Sequence, residues 1–137
     1  MSKISGGCLC GAVRYSADVE PVMSGVCHCR NCQRQSGSAF SILVGIPKGA
    51  LRFEGDELTV YLDQGESGQP VLRKFCGRCG SPILSDVASS PDLDWIKAGT
   101  LDDPSGFKPD VHLWCDSRQP WVEVPADAVQ LPRNPPA

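Results

Sequence analysis

Two groups of cysteines carry the chemistry that this sequence offers. Cys27-His28-Cys29-Arg30-Asn31-Cys32 places three thiols and an imidazole within six residues, interleaving C-x-C with C-x-x-C. Cys8-Leu9-Cys10 near the start and Cys76-Gly77-Arg78-Cys79 in the middle supply two further pairs. The latter has the knuckle spacing with which two thiolates grip one tetrahedral zinc. Residues i and i+2 of a strand face the same way, so Cys8 and Cys10 can address one ion, and the flanking Gly7 and Gly11 let the backbone bend around it. Four thiolates fill a zinc shell, so Cys8, Cys10, Cys76 and Cys79 are expected to form a closed, structural zinc site.

The other cluster brings three thiolates, Cys27, Cys29 and Cys32, and three protein ligands with one open position are the usual plan of a catalytic zinc. His28 is either a fourth ligand or, turned away by strand alternation, a group behind the site or packed on the opposite face. A closed alternative would recruit Cys115 or His112. Strand parity groups Cys115 with Val111 and Leu113 as a small buried residue, and leaves His112 as an orienting, acid–base or purely structural group. Three thiolates leave one net negative charge on the divalent ion, which makes it a weak Lewis acid. Zinc deaminases activate water with a Glu in an H-x-E pattern. Here His28 is followed by Cys29 and Arg30, which disfavours that chemistry. A thiolate-rich zinc is better suited to taking up another thiol, which coordination deprotonates and which can then attack an electrophilic carbon such as an aldehyde. The reverse reaction breaks a carbon–sulfur bond.

The elements that must position these groups read as short strands. Period-2 alternation occurs at Val13–Ala17, Val22–Val26, Ala39–Ile46, Leu51–Phe53 and Leu58–Leu62. It recurs at Val71–Phe75, Ile83–Asp86, Trp95–Gly99, Val111–Cys115 and Trp121–Val124. Only Arg30–Ser36 has helical character, stopped by Gly37. The fold class is therefore mainly β, with one domain over residues 1–131 and a Pro-rich tail, 132–137, expected to be disordered. The length of 137 residues suits a single core. Net charge of −3 argues against a nucleic-acid surface. No leader-like run and no membrane-length apolar segment is present, which predicts a cytoplasmic protein without a membrane partner. In that compartment eight cysteines point to metal rather than disulfides. Exposed strand edges leave room for a homodimer.

The sequence resembles the glutathione-dependent formaldehyde-activating enzyme family, which includes centromere protein V–type domains. The resemblance rests on Gly7-Cys8-Leu9-Cys10-Gly11-Ala12-Val13-Arg14-Tyr15, on Cys27–Cys32 with Ser36-Gly37-Ser38-Ala39-Phe40, and on Phe75-Cys76-Gly77-Arg78-Cys79-Gly80-Ser81-Pro82. It continues through Gly99-Thr100-Leu101-Asp102-Asp103-Pro104 and from His112 to Trp121. It implies a β-tent fold of small twisted antiparallel sheets clamped by zinc. It also implies two zinc ions per chain: a structural one on Cys8, Cys10, Cys76 and Cys79, and a catalytic one on Cys27, Cys29 and Cys32. The implied activity is a carbon–sulfur lyase type that joins glutathione to formaldehyde as S-hydroxymethylglutathione. Ser36 stands where the family often has Thr, and Cys115 is not a family ligand position.

Arg30 and Arg34 are candidates for attracting the carboxylates of such a thiol, or are solvated surface charges. Phe40, Trp95 and Trp114 would wall a pocket or belong to the core. The competing reading is a zinc-stabilised binding module without catalysis, in which both sites are structural.

Overall fold

The computed structural model describes residues 3–65 and 68–133. Its strands are β1 (Ile4–Gly7), β2 (Val13–Ala17), β3 (Met23–Cys27), β4 (Ser41–Pro47), β5 (Arg52–Gly55) and β6 (Thr59–Gln64). They continue with β7 (Pro70–Phe75), β8 (Pro82–Val87), β9 (Leu93–Lys97), β10 (Val111–Leu113) and β11 (Val129–Gln130). A helix, α1 (Arg30–Ser36), lies between β3 and β4, and 3₁₀ turns occupy Ala98–Thr100 and Cys115–Ser117. The protein is mainly β with one helix, as the alternation predicts. No helix among the described residues is long and apolar enough to cross a membrane.

The strands form two open sheets, one in the order β1-β2-β5 and one in the order β11-β10-β3-β4-β9-β8-β7-β6. Pairing is antiparallel except at β10, which runs parallel to both β3 and β11. Register in the large sheet has a consequence for the site. From β3 across to β6, cross-strand partners join two odd or two even residue numbers, as in Cys27↔Ser41, Leu43↔Lys97, Ser85↔Trp95, Arg73↔Ser85 and Tyr61↔Arg73. The one exception is the register shift after Lys74. With side chains alternating across the pleat, one face of the sheet carries the odd positions and the other the even ones. The even face supplies Val44, Ile46, Leu84 and Ile96 to a core that also takes Ile4, Tyr15 and Ala17 from the small sheet. The odd face supplies Cys27, Leu43 and Trp95 to a second cluster with Cys29, Cys32 and Trp114.

Several local expectations change. Ile4–Gly7 forms a strand that weak alternation hides, because two of its four residues are glycines. Gly6 is needed there: a Cβ on it would sit 2.3 Å from the Thr100 carbonyl and 2.3 Å from the Tyr15 hydroxyl. That hydroxyl is bonded to Thr100 Oγ1 at 2.8 Å, so neither neighbour is free to retreat. Gly6→Ala is expected to destabilise the protein by about 2–3 kcal/mol, the range of overpacking penalties, read as a lowered urea midpoint. A midpoint equal to wild type would mean that the strand docks less tightly than this.

Trp121–Val124 is not a strand. Pro120 and Pro125 bracket it, and the Val122 amide turns back to the Gln119 carbonyl at 3.1 Å. The expected strand Val111–Cys115 ends at Leu113, because Trp114 takes the left-handed conformation at φ 58° and a 3₁₀ turn follows. Trp95–Gly99 likewise passes into a 3₁₀ turn after Lys97. Of the expected tail, Pro132 and Arg133 accept hydrogen bonds from the amides of Asp116 and Trp114 at 3.2 and 3.3 Å. The remainder, 134–137, lies outside the described residues.

Candidate metal centres

The first centre joins two distant pieces of chain. Cys8 and Cys10 follow β1, and Cys76 and Cys79 sit on the turn between β7 and β8. Their four sulfur atoms lie within 4.8 Å of one another. Two of the edges measure 3.6 Å (Cys8–Cys10) and 3.8 Å (Cys10–Cys76). A zinc–sulfur bond of about 2.3 Å in a tetrahedron demands sulfur–sulfur edges of about 3.8 Å, so the donor set fits the ion in type and size. The turn is wound for this purpose. The Gly80 amide donates to the Cys76 carbonyl at 2.8 Å, with Gly80 at φ +80°. Backbone and side-chain donors stabilise anionic sulfur here: the Val13 amide donates to Cys8 at 3.3 Å, and Ser81 holds the Cys79 thiol down at about 5.

The second centre is built around the start of α1. Cys27 ends β3, Cys29 caps the helix and Cys32 closes its first turn. Cys29 Sγ accepts the Cys32 amide at 3.2 Å, which fixes the two sulfurs relative to each other before any metal arrives. Gly37, at φ +66°, ends the helix as the sequence predicts. The three sulfurs lie within 4.8 Å of one another and all three residues are buried. Three thiols so close cannot all ionise unaided. The neighbouring sulfurs of Cys29 and Cys32 push the Cys27 thiol up, while those of Cys27 and Cys29, helped by Lys97 and Arg73, pull Cys32 well down. A divalent cation is what would let the remaining protons leave.

No fourth sulfur, imidazole or carboxylate joins this group among the described residues. Cys115 is half-buried in the 3₁₀ turn, where its thiol donates to the His112 carbonyl at 3.5 Å. His28 and His112 turn to each other instead, with Nε2 of the first 3.0 Å from Nδ1 of the second and the rings stacked at 5.2 Å. Burial holds both imidazoles below their usual range, His28 at about 4, so the pair is neutral and one ring donates to the other. Phe40 packs edge-on against His28, whereas Trp95 and Trp114 pack with the cysteines. Trp95 and Trp114 thus belong to the buried cluster, with Phe40 on the histidine side.

Two cationic side chains that the strand pattern alone could not place stand beside the sulfurs. Arg73, 4% exposed, donates from Nη1 to Cys32 Sγ at 3.6 Å and pairs through Nε with Asp63 at 3.1 Å. Lys97, 8% exposed, donates to the hydroxyl of Ser41 at 2.8 Å. Burial lowers its ammonium to about 8, against the opposing pull of the Cys32 charge. Their shared odd parity with Cys27 was the signal available, and it becomes readable only once the register is known.

Arg30 and Arg34 stand away from the sulfurs, on an open groove. Each is two residues from Cys32, about 200° around the helix, so they lie on the far side of α1. There they line an open groove of about 430 Å³ with Gln33, Gln119 and Trp121. Gln33 anchors that side, donating to the His28 carbonyl at 2.7 Å and the Ser117 carbonyl at 3.1 Å, and accepting from Gln119 at 2.9 Å. It also accepts from Arg30.

Fold and site together define a mainly β protein of two open sheets carrying one four-cysteine and one three-cysteine cluster, both suited to zinc. The chain belongs to the glutathione-dependent formaldehyde-activating enzyme family, whose sequence profile matches residues 3–117. It is also similar in fold to the crystal structure of a Rhodobacter sphaeroides protein, with a TM-score of 0.58 and 23% identity over 77% of this chain and 91% of that one.

Proposed function

We propose that this protein is a zinc-dependent carbon–sulfur lyase-type enzyme that adds a glutathione-like thiol to formaldehyde or a related small aldehyde, or reverses that addition. The observation that carries the reading is the contrast between the two clusters: four sulfurs group at one centre, while at the other three sulfurs stand with no fourth protein donor among the described residues. Family membership supplies the substrate class.

In this reading Cys8, Cys10, Cys76 and Cys79 hold a structural zinc, and Cys27, Cys29 and Cys32 hold the reactive one. Zinc at the second centre would supply a soft cation that ionises an incoming thiol at neutral pH. The cap from Cys29 and the anchoring of Cys27 at the end of β3 hold the sulfurs in place, so little reorganisation accompanies binding. Trp95 and Trp114 exclude water from one side. In the addition, the thiolate sulfur bonds to the carbonyl carbon, the π pair moves to oxygen, and the proton lost from the thiol is returned there.

The test is the rate of adduct formation from glutathione and formaldehyde above the spontaneous rate. Saturable acceleration by zinc-loaded protein is expected, and no acceleration with any thiol–aldehyde pair would end the proposal.

One observation favours the non-catalytic module. All three cysteines of the second cluster are buried, and neither of two open grooves, about 480 and 430 Å³, is lined by them. X-ray absorption at the zinc edge separates the readings. Three sulfurs plus an exchangeable light atom or an added thiol support the enzyme, whereas two zincs each held by four protein atoms support the module.

A further inference from the structure

A buried ammonium ion is retained only where something anionic faces it, because desolvation alone would remove its proton or expel it from the core. Lys97 lies near the middle of the large sheet on β9 and is 8% exposed. Among the described residues no carboxylate pairs with it, and its hydrogen-bond partner is the neutral hydroxyl of Ser41 at 2.8 Å. The other buried cation on this face, Arg73, has its acid in Asp63 at 3.1 Å. Ser41 shows where the Lys97 charge goes. It is the direct cross-strand partner of Cys27, and neighbours so placed have their Cβ atoms about 5 Å apart. The lysine therefore reaches across β4 to the edge of the three-sulfur cluster, and the groups that favour its charge are these sulfurs, Cys32 foremost.

We infer that Lys97, held by Ser41, is a positioning residue that supplies the counter-charge of the three-cysteine centre and biases its open position toward an anionic sulfur ligand over a neutral one. This rests on the assignment of a metal to Cys27, Cys29 and Cys32. Three thiolates on a divalent ion carry one net negative charge, and an incoming thiolate adds a second. Arg73 shares its charge with Asp63, so the lysine is the cation committed to the sulfurs alone. With Lys97 present, thiolate uptake leaves one charge uncompensated by it rather than two. A neutral ligand such as imidazole gains nothing comparable. Among the described residues the four-cysteine centre has no such buried cation, consistent with a site that accepts no exogenous ligand.

The experiment uses the full chain with both centres loaded. Lys97→Met keeps the stem and removes the charge, and Lys97→Arg keeps a charge. Competition with a chromophoric chelator reads the affinity of each centre. In the cobalt-substituted protein, the visible spectrum reads uptake of glutathione and, separately, of imidazole. Lys97→Met is expected to weaken metal binding at the three-cysteine centre about tenfold to a hundredfold, leave the other centre unchanged, and weaken glutathione uptake more than imidazole uptake. Lys97→Arg should recover most of the preference. A folded Lys97→Met protein with both affinities and the glutathione-to-imidazole ratio within about twofold of wild type would overturn the inference. If Lys97→Met does not fold, as judged by circular dichroism and loss of the first metal, Ser41→Ala, which frees the ammonium from its anchor, takes its place with the same readouts, and an unchanged ratio there overturns it equally. None of these readouts is turnover. A wild-type protein inert toward every aldehyde but sensitive to Lys97 would sink the lyase reading alone, and an active one indifferent to Lys97 would sink this inference alone.

Discussion

Cys79→Ala is expected to yield insoluble or unfolded protein. The four-sulfur centre ties the end of β1 to the β7–β8 turn across more than sixty residues, and Cys76 within it is fully buried. Structural zinc in small domains contributes about 10–16 kcal/mol of apparent folding free energy. The whole net stability of a domain is about 5–15 kcal/mol. Losing one of four thiolates also leaves the remaining three crowded at distances near 3.7 Å without the cation that tolerates them, as the 3.6 and 3.8 Å edges show. Ser81, which bonds both the Cys79 sulfur at 3.2 Å and the Leu9 amide at 3.1 Å, would lose half of its bridging role. Circular dichroism and zinc content decide the matter. A folded Cys79→Ala protein that keeps the wild-type denaturation midpoint would show that this centre does not hold the fold together.

Cys32→Ala is expected to do the opposite, folding normally while losing one zinc per chain and at least about a thousandfold in adduct formation, the scale of removing a group that acts on the transition state. The reason for a mild structural cost is local. Cys32 contributes a small buried side chain, worth about 1–2 kcal/mol of packing. It is also a better probe than Cys29, whose sulfur caps α1 and whose removal would fray the helix as well. Arg73 loses its sulfur acceptor but keeps Asp63. Unfolding of Cys32→Ala as severe as that of Cys79→Ala would erase the distinction between a structural and a reactive centre.

The strand pattern reads well where alternation is strong and fails where glycine or proline interrupts it. Helix α1 is legible, with Gly37 supplying its left-handed stop, whereas the cap by Cys29 appears only in the structure. β1 is not, because two of its four residues are glycines, and Gly6 is demanded by Thr100, a neighbour remote in sequence. Trp121–Val124 misleads for the converse reason: its apolar alternation is real, but two prolines deny it a place in a ladder. Strand parity groups Cys115 with Val111 and Leu113, but parity stops applying once Trp114 turns left-handed.

What the chain alone determined are the features carried by local spacing: the knuckle at Cys76 and Cys79, the six-residue run from Cys27 to Cys32, the helix that presents it, and the mainly β class. Tertiary structure alone decided which distant groups meet. It pairs His28 with His112 and keeps Cys115 with the His112 carbonyl, and it moves Arg30 and Arg34 to the far side of α1. It also sets Arg73 and Lys97 beside the sulfurs. The physical reason is that alternation states that neighbours in a strand oppose each other, whereas which face a strand turns toward a given cysteine depends on register across the sheet, and register is set by pairings between strands rather than within them.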